Sequence, residues 1–174
     1  MKKISLLFFI LLCLPLGAQQ NIISPTQSVR NSFAIFVDQA TYDACKEEIH
    51  AYRDLIEKDG LATYILYANW ESPEHVKFFL KKYYKEQGLE GAVFVGNIPV
   101  PMIRGAQHFT SAFKMDQDAY SYYESSVPSD RFYDDFDLKF RFLHRDSTHQ
   151  HLYYYWLTGD SPQRISCDIY SGRI

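Results

Sequence analysis

Ser32-Phe33-Ala34-Ile35-Phe36-Val37-Asp38 is a nearly continuous apolar run that ends in an acid. A strand with one wet face alternates apolar and polar residues. A strand-length run without alternation is covered on both faces, as in a parallel sheet flanked by helices. Two runs of the same kind follow, Ala62-Thr63-Tyr64-Ile65-Leu66-Tyr67 and Gly91-Ala92-Val93-Phe94-Val95-Gly96. Between the first two, Tyr42, Cys45, Ile49, Tyr52 and Ile56 recur at three- and four-residue steps, with charges filling the rest. That spacing predicts an amphipathic helix, capped by Thr41 and stopped by Gly60. Between the second and third, Ser72-Pro73-Glu74 reads as a cap followed by proline at the first helical turn. Val76, Phe79, Leu80 and Tyr83 continue that helix's apolar face to Gly88.

Strand, helix, strand, helix, strand at this spacing predicts an α/β fold: a mainly parallel sheet with helices on both faces. In such sheets ligands gather beyond the carboxyl ends of the strands. Asp38, Asn69-Trp70 and Asn97-Ile98-Pro99 stand at those ends. Past residue 97 the pattern is less regular. Pro99 and Pro101 mark a loop, and His108 to Tyr120 reads as a short helix. Ser125-Ser126-Val127-Pro128 is a break, Leu138 to Leu143 alternates like a half-wet strand, and Leu152 to Leu157 reads as its hairpin partner. Cys167-Asp168-Ile169-Tyr170 reads as a fourth core strand.

The chain begins Met1-Lys2-Lys3, followed by an apolar run from Ile4 to Leu14 and by Pro15-Leu16-Gly17-Ala18. A basic start, a short apolar stretch and a small residue at the cut describe a secretory signal peptide over residues 1–18. The run falls short of the roughly twenty apolar residues that span a bilayer. Residues 19–32 read as a polar leader, and 33–174 as the α/β domain, about 156 residues remaining after cleavage. Losing Lys2 and Lys3 takes the formal charge from −3 to −5. A mildly acidic surface disfavours nucleic acid as a partner, and no membrane span is expected after cleavage. Cys45 and Cys167 would remain, too few for a disulfide framework; two buried or unpaired thiols are expected.

Four constellations bear on chemistry. Asp130, Asp134, Asp135 and Asp137 crowd into eight residues and repel one another unless Arg131, Lys139, a cation or solvent relieves them. Hard oxygen ligands at that density make a calcium candidate, although an EF-hand spacing is absent. The competing reading is a polar loop closed by Asx turns. His149 and His151 would share a face on an extended segment, with His144 and His108 as further candidates for zinc; surface histidines are the competing reading. Cys167 as a nucleophile needs a histidine base that the sequence does not place beside it. Finally, Gly96 to Arg104 with Gln107-His108 follows a central strand's carboxyl end, so Asn97, Arg104 and His108 are candidates for the wall of a site. Glycine-rich phosphate loops and a G-x-S-x-G elbow are absent from the sequence.

Three stretches, in order, are similar to the amino-terminal half of a gingipain-like cysteine peptidase domain. They are Val93-Phe94-Val95-Gly96-Asn97-Ile98-Pro99, Ser129-Asp130-Arg131-Phe132-Tyr133 and Asp168-Ile169-Tyr170-Ser171-Gly172-Arg173-Ile174. The resemblance covers roughly residues 33–174 and implies a caspase-like α/β fold and a polypeptide substrate or protein partner. The family's catalytic histidine, in a His-Gly context, and its nucleophilic cysteine come after the Gly-Arg, so no catalytic residue carries over onto this chain. Asn97 departs from the family's commoner Asp. The resemblance therefore implies a first subdomain, part of a larger exported protein at the periplasm, cell surface or exterior, and inactive alone. The rival expectation is a non-catalytic exported binding or assembly module, motivated by Tyr120, Tyr122, Tyr123 and Tyr153-Tyr154-Tyr155-Trp156. A third is a metal-dependent hydrolase built on the aspartates.

Overall fold

The structure, a computed structural model, describes residues 20–106, 115–162, 164 and 166–174. The proposed signal peptide and His108 lie outside these residues. Two sheets carry the fold. The first has the order β1-β3-β2-β4-β9, formed by Asn21–Ile23, Ala62–Ala68, Ser32–Asp38, Leu89–Val95 and Tyr170–Arg173 respectively. β2, β3, β4 and β9 run parallel, whereas β1 is an antiparallel edge. The second sheet, β6-β5-β8-β7, uses Val127–Pro128, Val100–Arg104, Leu152–Leu157 and Phe140–Arg145. There β5 and β8 are parallel and the outer pairs antiparallel. The chain is thus α/β with two mixed sheets, not one mainly parallel sheet.

Both faces of β2 are covered, as its composition requires. Phe33, Ile35 and Val37 join Ile65 and Val93 under Tyr42 of α1 (Gln39–Ala44) and Ile49 of α2 (Lys46–Lys58). Ala34 and Phe36 join Leu66, Ala92 and Phe94 in a larger core. That core continues through Val76, Phe79, Leu80 and Tyr83 of α3 (Pro73–Gln87) to Tyr153 and Tyr155 of β8. All four apolar positions read for α3 are buried. Its ends are built as expected: the Ser72 side chain accepts from the His75 N–H at 3.3 Å, and Gly88 closes the helix at φ 61°.

The first helix departs from its pattern. Asp38, not Thr41, is the cap of α1, and the chain breaks at Cys45 before α2 begins. The break rephases the stripe, leaving Tyr52 and Leu55 exposed while Tyr42 and Ile49 bury. The polar leader also joins the fold, since Asn21–Ile23 pairs with β3. Thr26 then donates its N–H to the buried Glu57 carboxylate at 3.0 Å. Val100–Arg104, expected as a loop from its prolines, is β5; its pairing with β6 begins only at Met102, so Pro101 has no ladder partner on that side. Residues 115–120 form no helix, and a four-residue α4 (Tyr122–Ser125) follows them; α5 spans Arg131–Asp134. The strand expected at Cys167–Tyr170 lies three residues later, at Tyr170–Arg173, and is a half-exposed edge of the sheet, not a core strand. Its Tyr170 ring covers Gly91, where a Cβ would lie 2.3 Å from the ring.

Candidate functional site

In the first sheet the chain goes from β2 outward to β3, then crosses back to place β4 on the other side of β2. The strand order reverses between β2 and β4. Crossovers leave that point in opposite directions, so a crevice opens beyond the carboxyl ends there. Asp38 ends β2, and Gly96-Asn97 follows β4.

One carboxylate fastens the two exits. Asp38 Oδ1 accepts the Thr41 N–H at 3.1 Å, and Oδ2 accepts the Asn97 N–H at 2.8 Å. Burial pushes the Asp38 pKa up, but hydrogen bonds from the Thr41 side chain and from the Asn97, Thr41 and Ala40 amides outweigh it and leave the pKa below the ordinary value. Gly96 makes this approach feasible. It sits at φ 76°, and a Cβ there would lie 2.1 Å from Asp38 Oδ2 and 2.3 Å from Thr41 Oγ1. Trp70, after β3, is buried against Phe36 and donates its indole N–H to the Val37 carbonyl at 2.8 Å.

The hairpin of the second sheet supplies the remaining wall. Val100 is aligned with Leu152, so the turn before β8 lies beside the start of β5, which itself follows the β4 exit. The Val100 N–H donates to the His151 carbonyl at 2.7 Å. Asp146 closes the turn, its side chain accepting the Thr148 and His149 N–H groups at 2.8 Å each; those two bonds lower its pKa. Arg145 stacks its guanidinium 5.0 Å from the Tyr153 ring centre and donates Nε–H to the Gln150 carbonyl at 2.8 Å. The Tyr153 hydroxyl donates to the Glu71 carbonyl.

A two-lobed cleft results. The larger lobe, about 490 Å³, is lined by Asp38, Asn69, Trp70, Glu71, Asn97 and Arg145, among others. The smaller, about 160 Å³, shares Trp70, Asn97 and Arg145 and adds Pro99, Gln150, His151 and Tyr153. No protein-family model, curated protein or solved structure matches the chain. The chemistry of the cleft therefore rests on its own side chains: carboxylates in the larger lobe, imidazole in the smaller, and the Arg145 guanidinium and Asn97 shared by both.

Of the three wall candidates, Asn97 lines the cleft. Arg104 turns elsewhere: its guanidinium lies 4.9 Å from the Trp156 ring, contacts the Gln117 carbonyl and approaches Asp118 at 3.6 Å. His108 is outside the described residues. Arg145 escaped the sequence reading and Tyr153 was singled out only as part of the aromatic run, because only the long-range alignment of β8 with β5 brings that turn to the β4 exit. Asp38 and Trp70 were already visible at strand ends.

The four aspartates meet arginines instead of one another. Asp130 accepts from Arg173 at 2.7 Å, Asp134 and Asp135 from Arg131 at 2.9 and 2.8 Å, and Asp137 from Arg164 at 2.5 Å. Asp135 also accepts the Asp137 and Leu138 N–H groups, the expected Asx-type closure. Lys139 pairs with Asp160 instead. Burial pushes the Asp134 pKa up; Arg131 and a 2.9 Å hydrogen bond from the Ser171 hydroxyl oppose it. Among the described residues no group of three or more His, Cys, Asp or Glu side chains is arranged to hold a metal ion. His149 and His151 lie edge to face at 6.3 Å, while His144 packs on Tyr123. Both Cys45 and Cys167 are unpaired and exposed, not buried. No described helix is long and apolar enough to cross a membrane.

Proposed function

We propose that this chain is part of an exported, gingipain-like peptidase-related protein: a caspase-like scaffold that presents a polypeptide-binding cleft and does not cleave by itself. One observation carries the reading. The three segments of the resemblance, widely separated in sequence, meet at Arg173. Its guanidinium donates to the Ile98 carbonyl at 2.9 Å, to the Pro99 carbonyl at 3.3 Å and to the Asp130 carboxylate at 2.7 Å. The Tyr133 hydroxyl, buried and pushed far up in pKa by that burial, donates to the same Pro99 carbonyl at 2.7 Å. A motif order held by one hydrogen-bonded hub is a stronger pointer than three short matches.

Within the described residues, neither thiol makes a hydrogen bond to a histidine, so no activated nucleophile supports cleavage here. The test is the gene beyond codon 174 together with the activity of its product. A downstream His-Gly and a strand-terminal cysteine, with thiol-dependent cleavage by the whole product and none by residues 20–174, are expected. A stop codon directly after Ile174, with a product that folds cooperatively as a monomer, would overturn the reading.

A binding or assembly module is the second reading. Tyr120 and Tyr123 are exposed, and Tyr122, Tyr123, His144 and Tyr154 form a ring cluster on the second sheet. Partner or glycan binding that survives thiol blocking favours it.

A further inference from the structure

We infer that the two-lobed cleft takes a polypeptide segment bearing a single carboxylate, with Arg145 as the anion contact in the smaller lobe. The inference uses the cleft's geometry and holds whether or not the protein belongs to a peptidase.

Arg145 is prepared for an anion. Its plane is stacked on Tyr153 and its Nε is anchored on the Gln150 carbonyl. It makes no ion pair among the described residues, and its two terminal nitrogens have no hydrogen-bond partner there. A guanidinium already held by its inner nitrogen and its face loses little freedom when its outer fork takes a carboxylate. His151 lines the same lobe, and its volume of about 160 Å³ suits a side-chain carboxyl group.

The adjoining lobe selects the rest of the ligand. Asp38 and Glu71 line it, together with Asn69, Asn97 and the near side of Arg145 itself. Asp38 is held as an anion by its amide donors. The two acids accept peptide N–H groups or a positively charged side chain. They repel a doubly charged phosphate more strongly than a lone carboxylate. Complementarity therefore favours an acidic residue beside a basic or neutral one within an extended peptide.

The test is calorimetric titration of the folded chain with acetyl-Gly-Glu-Lys-Gly-amide. Saturable binding is expected, at least tenfold weaker for the peptide with Gln in place of Glu. Arg145→Gln should weaken the Glu peptide at least tenfold and abolish the discrimination. Arg145→Lys should keep part of the affinity, since the charge remains but the fork is lost. Arg141→Gln, on the same strand but outside the cleft, should change nothing, and circular dichroism checks that each variant is folded. Inorganic phosphate should not compete. Equal affinity for the Glu and Gln peptides, no binding of either, or phosphate binding more tightly than the Glu peptide would overturn the inference. Binding is read on intact peptide, so its failure is separate from any result of the gene and cleavage test.

Discussion

Asp38 Oδ2 accepts the backbone N–H of Asn97 at 2.8 Å, so one carboxylate at the end of β2 holds the chain that leaves β4. Its other oxygen caps α1. Asp38→Ala is expected to cost about 1–2 kcal/mol in urea unfolding, the usual worth of a lost cap. A depressed folded pKa means this contribution is present above the unfolded value near 3.9 and disappears as pH falls through the lower folded value. The gap between wild type and Asp38→Ala should therefore close in acid; a gap that stays constant below pH 3 contradicts the assignment.

Gly96→Ala should destabilise more than most surface changes. The new Cβ would meet Asp38 Oδ2 and Thr41 Oγ1 at 2.1 and 2.3 Å, in a backbone at φ 76°. Left-handed backbone strain and crowding together amount to roughly 2–4 kcal/mol. Pairing Gly96→Ala with Asp38→Ala should recover part of that loss, because the clash partner is removed.

Arg131 spans two carboxylates, one of them Asp135 with a 2% exposed side chain. Arg131→Met strands a buried charge, and a loss of about 3–5 kcal/mol is expected. Because arginines already occupy the aspartates, the melting temperature of the wild type should be the same in EDTA and in millimolar calcium. A clear upward shift with calcium would restore these residues as a metal site.

The Lys77 amine sits over the Phe132 and Phe140 rings, 4.8 and 5.4 Å from their centres, and donates to the Asp135 carbonyl at 3.1 Å. Burial, aided by the Lys81 charge and opposed by Asp135, Asp134 and Asp168, lowers its pKa from 10.5 to about 8. Between those values the unfolded chain holds a proton that the folded one has released, so stability rises with pH. The wild type should gain up to about 3 kcal/mol from pH 8 to 10.5 relative to Lys77→Met. Parallel pH profiles for the two proteins would refute the buried amine.

The core was the legible part. Buried parallel strands print their burial on every residue, which is why Ser32–Asp38 and the face of α3 could be read without a partner in view. Short elements that depend on remote neighbours could not. Val100–Arg104 contains Pro101 and directly follows Pro99, and it becomes a strand only because β8 lies alongside. The cap at Asp38 was hidden by the closer-looking Thr41, since a carboxylate shared between a helix start and a distant amide leaves no local pattern. The cleft shows the same division. Asn97, Asp38 and Trp70 stand at strand ends that periodicity locates, whereas Arg145 arrives through a parallel pairing across fifty residues of chain. For the aspartates, spacing alone could not decide between a cation and arginines, because Arg173 and Arg164 come from far downstream.

The Tyr170 ring seated over Gly91 also imposes an order of assembly. A side chain at that spot would block the ring, and a slip of two residues would drive Tyr170 onto Val93, so the last strand has one landing position. Everything between Val95 and Tyr170, including the whole second sheet, is the tether that must first be gathered in. Contacts separated by so much chain form late, because closing the tether costs entropy before the strand returns any. Docking of β9 then follows the gathering of the second sheet, and a chain whose second sheet has not formed should expose β4 as an open edge until it does.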